Sequence, residues 1–254
     1  MRHFSRSLPN WFVLNPLDIS LLAVITILAV SAFVRSAIGF GDALIAMGLV
    51  THWVGLKTAT PLVALISMII SSSIVVTEWK QLNIRAARPL ILSTLLGIPL
   101  GLVLLTVVPE QIAKLFLGIL LLLYGLYGLI GLRLPRVHSD RTAGFFGFIA
   151  GILGGAYNTN GPPVVIYGTL RRWHPEQFRL TLQGYFFFTN ALILAGHAAF
   201  GLWTVKVWSL FFLSLPAVGL ATWLGGVVNQ RIQHELFSKL VFGVLLIVGI
   251  IFLS

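Results

Sequence analysis

Two short stretches decide how this chain folds: Gly39-Phe40-Gly41-Asp42, and Gly154-Gly155-Ala156-Tyr157-Asn158-Thr159-Asn160-Gly161-Pro162-Pro163. Each follows a long apolar block and precedes a short one, at 43–53 and 162–170. Both short blocks fall below the about 20 residues that a helix needs to cross a bilayer. Glycines and polar side chains at such places read as breaks in a helix. A broken backbone at membrane depth must be buried in protein or line a wet cavity, because lipid satisfies no N–H or C=O group.

Around the breaks lie eight longer apolar blocks, at 17–40, 58–77, 89–108, 112–132, 142–157, 178–200, 207–228 and 236–253. They occupy most of the 254 residues, of which 57% are apolar and 9% charged, and the mean hydropathy is +0.97. An ordinary soluble domain carries about 25% charged residues, so this chain cannot cover a soluble surface. The expectation is an all-α, polytopic integral membrane protein of eight to ten membrane segments, with the lipid bilayer as its solvent. The first block runs longer than the roughly 7 to 15 apolar residues of a signal peptide, and no small-residue cleavage site follows it.

The net charge of +10 comes from 17 Lys and Arg against 7 Asp and Glu. The basic residues fall in short gaps between apolar blocks, so they report orientation and not nucleic acid. With no cysteine, disulfides and thiolate metal sites are excluded. Neither a metal nor a cofactor is expected.

The breaks hold corresponding places in two halves. A shift of 125 positions sets Gly101 on Gly226, Glu110 on Glu235, Lys114 on Lys239 and Gly118 on Gly243, and a shift of 115 sets Gly39 on Gly154. Duplication follows, with the polar linker 133–141 as boundary: residues 1–132 form a first membrane repeat and 133–254 a second. If each break were crossed by one continuous helix, the halves would lie parallel, and with Arg2 and Arg6 inside, Arg171, Arg172 and Arg179 would sit outside, against the charge rule. If each break is the tip of a re-entrant hairpin, or ends a full crossing, the halves are inverted. The inner loops then hold Lys80, Arg85, Arg88, Arg133, Arg136, Arg141, Arg171, Arg172, Arg179 and Arg231, and the outer ends Arg2, Arg6, Lys57, Lys114 and Lys206. Arg2 and Arg6 run against the rule, yet the sum favours two inverted repeats of five elements.

Paired broken helices in inverted repeats point to a transporter's binding site. The half-helices after the breaks, starting near Asp42 and Pro162, would aim free N–H groups and partial positive charge at the midplane, which suits an anion. Pro162 and Pro163 fit a helix start. Arg35 lies inside an apolar segment, where a charge costs roughly 2.5 to 3.5 kcal/mol on insertion scales. It reads as counter-charge to an anion, as an ion-pair partner of Asp42, or as a snorkelling side chain. Asp42 reads as a helix N-cap or as a proton-binding group that couples transport to proton flow.

The motif around Gly39-Phe40-Gly41, its partner from Gly154-Gly155 to Gly161-Pro162-Pro163-Val164-Val165, the duplicated hydropathy and the length resemble the TauE/SafE sulfite-exporter family over essentially the whole chain. The resemblance implies transport of sulfite, sulfoacetate or related small anions, usually as export across the bacterial cell inner membrane. Ala46-Met47 stands where that family commonly has a small residue before proline, and Asp42 where a small or apolar residue is usual.

The expected substrate-binding set is Arg35, Gly39, Phe40, Gly41, Asn158, Thr159, Asn160, Gly161, Gln183 and Asn190, with Asp42 coupling to a proton or to sodium. Gln183, Asn190 and His197 recur every seven residues and share a helix face, with Ser67 and Ser71 on the related face of the first half. His197 is expected to bond a neighbouring helix, and the aromatic run 185–188 to pack in the core or against lipid. Glycines at 118, 125, 128 and 131, and at 144, 147, 151 and 154, read as close helix contacts, with a homodimer face as a further reading. The alternatives are an anion channel of the same architecture and a transporter of a small carboxylate. An enzyme is not expected, since neither H-E-x-x-H nor G-x-S-x-G occurs.

Overall fold

The computed structural model describes residues 16–78, 84–131, 137, 141–173, 175–229 and 234–253. Within them the chain forms ten helices and no strand: α1 (Pro16–Ile38), α2 (Asp42–Val54), α3 (Leu56–Glu78), α4 (Ile84–Val107), α5 (Glu110–Ile130), α6 (Arg141–Tyr157), α7 (Gly161–Leu170), α8 (Pro175–Ala199), α9 (Val205–Asn229) and α10 (His234–Leu253). Five stretches are long and apolar enough to cross a membrane: Ser20–Ile38, Leu56–Thr77, Ala87–Val107, Glu110–Ile130 and Val205–Asn229. Of the basic residues that set the orientation, Arg2, Arg6, Lys80, Arg133, Arg136 and Arg231 lie outside the described residues, as do the side chains of Arg85, Arg141 and Arg179.

Both expected breaks are real helix ends. The Gly39 amide closes the last turn of α1 on the Arg35 carbonyl at 2.6 Å, and Gly39 and Gly41 then take φ values of 100° and 97°, a left-handed backbone open to glycine at little cost. The Asn158 amide does the same on Gly154 at 2.8 Å, with φ 52°. Asn158 is therefore the counterpart of Gly39 (158 − 39 = 119). The register with Gly154 opposite Gly39 is off by four residues, one helical turn, because Gly154 is a packing position inside α6 against Ile193 and Asn160.

The second short helix folds back. The rings of Phe146 and Tyr167 lie 5.9 Å apart, whereas one continuous helix would hold residues 21 positions apart at about 30 Å. The Val137 amide donates to the Leu170 carbonyl at 3.0 Å, which brings the approach to α6 beside the end of α7. Helices α1 and α2 likewise pack side by side. Both broken elements are thus hairpins.

The halves also run in opposite directions. Helix α4 packs on α6, and α9 packs on α1, each through a glycine pressed on a carbonyl: Gly101 on Ile152, and Gly225 on Phe33. Exchanging the halves converts one contact into the other. Under the same exchange α5 meets α10, and these two are antiparallel, with Gly128 and Gly125 against Phe242 and Leu246, and Gly118 and Leu122 against Gly249. Antiparallel equivalents require the inverted arrangement. Of the glycine stripes, Gly118, Gly125 and Gly128 pack on α10, Gly147 and Gly151 on α4, and Gly154 on Ile193 and Asn160, while a Cβ at Gly131 or Gly144 would meet nothing within 4 Å.

Hairpin topology fixes sidedness. Single cysteines replacing Val137 and Arg172 should react with an impermeant maleimide from one face of a vesicle, and one replacing Trp203 from the other. Labelling of Val137→Cys and Arg172→Cys from opposite faces would contradict the hairpin.

Candidate functional site

Arg35 ends the last turn of α1 and is 2% exposed. A buried guanidinium must be paired and hydrogen-bonded, and the neighbouring helices supply both. One terminal nitrogen reaches Asp42 Oδ2 at 2.9 Å, across the first break. The other donates to Ser71 Oγ on α3 and to Gln183 Oε1 on α8 at 3.2 Å. The Phe186 ring lies beneath, 4.8 Å from the guanidinium carbon, a cation–π distance. Gln183 also donates from Nε2 to the Gly39 carbonyl at 2.6 Å, which ties the tip of the first hairpin to α8.

The network continues to the second break. Ser67 Oγ donates to Asp42 Oδ2 at 2.6 Å and accepts from Asn158 Nδ2 at 3.4 Å. Asn160 Nδ2 donates to Thr189 Oγ1 on α8 at 3.0 Å. Helix α8 is itself steadied through Tyr185, whose hydroxyl meets Thr94 Oγ1 at 2.8 Å, while Thr94 donates to the Gly147 carbonyl. Both tips are thus wired to one charge pair through α3 and α8.

Between the tips lies a cavity of about 20 Å³, roughly the room of one water molecule. Arg35, Phe40, Gly41, Asp42, Asn158, Thr159, Asn160, Gly161 and Asn190 border it, and so do Ser67, Pro162 and Phe186. Helices α2 and α7 begin here, and neither N-terminus has a side-chain cap. Asp42, Ala43 and Leu44 bring the first amides of α2 to the cavity and Gly161 the first of α7, where Pro162 and Pro163 carry no N–H, and the partial positive charge of both helix starts lies here. Arg35 Nε, Asn158 Oδ1, Thr159 Oγ1 and Asn190 Nδ2 are buried without a hydrogen-bond partner. Groups left unpaired at such a place are ready for a ligand.

The structure gathers every residue of the expected set at this spot, Gly39 and Gln183 by their mutual bond. Two readings change. Asp42 is not an N-cap: Gly41 holds that position, and the Asp42 carboxylate turns to Arg35 and Ser67 instead. Phe186 is not mere packing, since stacking over Arg35 puts it in the cavity wall, although Phe188 is 40% exposed as a lipid-facing ring would be. His197 is fully buried on α8 and meets the Gly155 backbone of the neighbouring helix α6, as expected. The direct bond of Ser71 to Arg35 was foreshadowed only by its helix face. Arg35 does not snorkel.

A model of the family described as "Sulfite exporter TauE/SafE" matches residues 23–252. Among curated proteins, "Probable sulfite/organosulfonate exporter TauE" of Cupriavidus necator is 25% identical over 236 residues, covering 90% of this chain and 92% of that protein. No solved structure matches the chain.

Removing one member of a buried charge pair leaves the other uncompensated, at about 3–5 kcal/mol. Arg35→Leu should therefore unfold well below the wild-type melting temperature in detergent, and Arg35→Leu with Asp42→Leu should recover most of the loss. Equal stability of the single and double variants would dissolve the pair as a unit.

Proposed function

We propose that this chain, which belongs to the sulfite exporter TauE/SafE family, carries a small sulfur-containing anion across the membrane on the Arg35 site and acts as an exporter. The observation that carries this reading is one buried arginine at two uncapped helix N-termini, beside unpaired donors and glycine backbone. Such a set binds negative charge. The name of the Cupriavidus necator relative supplies the sulfur class.

The chemistry follows from charge balance. Without ligand, Asp42 neutralises Arg35. An incoming sulfite or sulfonate competes for the same guanidinium, and a displaced carboxylate in a low-dielectric site is most stable when it takes up a proton. Anion and proton are then coupled through Asp42. Arg35, Gln183 and Asn190 hold the oxygens by side chain, and residues 39–41 and 158–161 by backbone. At about 20 Å³ the cavity is too small for such an anion, so the two tips must part to admit one, as in a carrier. A channel would give ohmic current, where a carrier gives saturable flux. A small carboxylate would satisfy the same donors. We place the protein in a bacterial inner membrane as a multi-pass carrier whose repeats are residues 1–132 and 133–254.

In proteoliposomes, Arg35→Gln should weaken sulfite or sulfonate affinity about 10- to 150-fold, the equivalent of about 1.5–3 kcal/mol for a hydrogen bond to a charged group. Unchanged affinity would remove Arg35 from the site.

A Cβ at Gly161 would rest 3.6 Å from the Phe186 ring, an ordinary contact. Gly161→Ala should therefore transport, and Gly161→Leu should not. Asp42→Asn should bind the anion yet lose the pH dependence of flux; retention of the wild-type pH profile would end the coupling role of Asp42.

A further inference from the structure

Inverted halves pair each crevice on one side of Arg35 with a counterpart on the other, and here the two differ. Ser36, Ser73, Thr77, Thr222 and Gly226 help line a chamber of about 600 Å³ at the ends of α1, α3 and α9. Its lining includes four hydroxyls and no charged side chain. Ser36 stands one residue beyond Arg35 on α1 and Ser73 two beyond Ser71 on α3, on other faces of those helices, and the chamber shares no lining residue with the cavity at Arg35. The chamber opens where α3 and α9 end, the side of Arg88, Arg171 and Arg172.

The counterpart lies among α6, α8 and α4, and it is packed solid. A Cβ at Gly97, Gly101, Gly151 or Gly155 would strike the backbone of the facing helix, and one at Gly196 would strike Leu102. Ile98, Leu102, Ile193 and Ala64 form a separate apolar cluster there. On the chamber side only Gly225 is pressed so closely, while Gly219 meets nothing within 4 Å and Gly226 lies 3.7 Å from Ser36 Oγ. Near the end of α8, His197 meets the Gly155 backbone of α6. Thr77, near the end of α3, is exposed to the chamber, whereas His197 is fully buried.

We infer that the chamber is the open cytoplasmic mouth of the transport path and that the seam of α4, α6 and α8, with His197 in it, is the closed outer mouth. Transport exchanges the two: α1 closes on α3 and α9 as α6 parts from α4 and α8. This rests on the reading of Arg35 as the transport site. The hydroxyls of Ser36, Ser73 and Thr77 already donate to helix carbonyls, and Ile69, Ile74, Trp223 and Val227 also line the chamber, so an anion there keeps its water and sheds it on reaching Arg35. The apolar cluster holds ions back from the far side.

The chain has no cysteine, so single introduced thiols report each mouth. Thr222→Cys should react with a charged, impermeant maleimide from the Arg172 side at least tenfold faster than Ile193→Cys does from the opposite side. The maleimide on Thr222→Cys should also block binding of methanesulfonate. Oxidative joining of Leu102→Cys to Gly196→Cys should stop flux and spare methanesulfonate binding, and reduction should restore flux. Thr222→Cys reached only from the opposite side, or a joined pair that still transports, would overturn the inference. If methanesulfonate does not bind the unmodified protein, the reading of Arg35 fails, while the sidedness of the two thiols still decides which mouth is open.

Discussion

A guanidinium has been placed where the chain is built to exclude charge, and the centre of the structure is arranged around that fact. Arg35 is tolerable at membrane depth because Asp42, Ser71 and Gln183 accept its hydrogen bonds and Phe186 covers its face. Asp42 can reach it only because the backbone reverses within three residues, which the left-handed glycines permit. Gln183 reaches it from the second half and holds the reversed backbone at Gly39. A buried pair adds little net stability, since desolvation offsets attraction. Its use is explained if the arginine must be free, at one point in a cycle, to meet another anion.

The remaining helices hold the two hairpins in register. Glycine faces let α4 sit directly on α6 and α10 on α5, so the re-entrant segments are clasped by crossing helices and their exposed backbone is kept from lipid. Glu110 adds a tie outside the site, accepting from the first amide of α3 at 3.1 Å while paired with Lys114. Family membership over residues 23–252 agrees with a design that spends most of the chain on this scaffold.

Much of this was legible because it is local. Glycines at 39 and 41 and prolines at 162 and 163 mark helix ends by backbone chemistry alone, and α2 and α7 start at Asp42 and Gly161. The pairing of Arg35 with Asp42 needed only seven residues of separation and a shared need for neutralisation. The repeat register slipped by one turn because glycines used for packing recur at helical spacing and imitate glycines used for turning. The stacking of Phe186 on Arg35 and the direct bond of Ser71 to Arg35 depend on which helix faces which, and a heptad spacing gives a face without naming its neighbour.

The most direct measurement is the number of protons taken up as an anion binds. Methanesulfonate does not titrate near neutral pH, so calorimetric titration of the purified protein in buffers of different ionisation enthalpy reports the protein's own protons. If an anion displaces Asp42 from Arg35, the wild type should take up close to one proton per anion bound and Asp42→Asn close to none. Binding by the wild type with no proton uptake, or equal uptake in Asp42→Asn, would contradict the exchange of partners at Arg35.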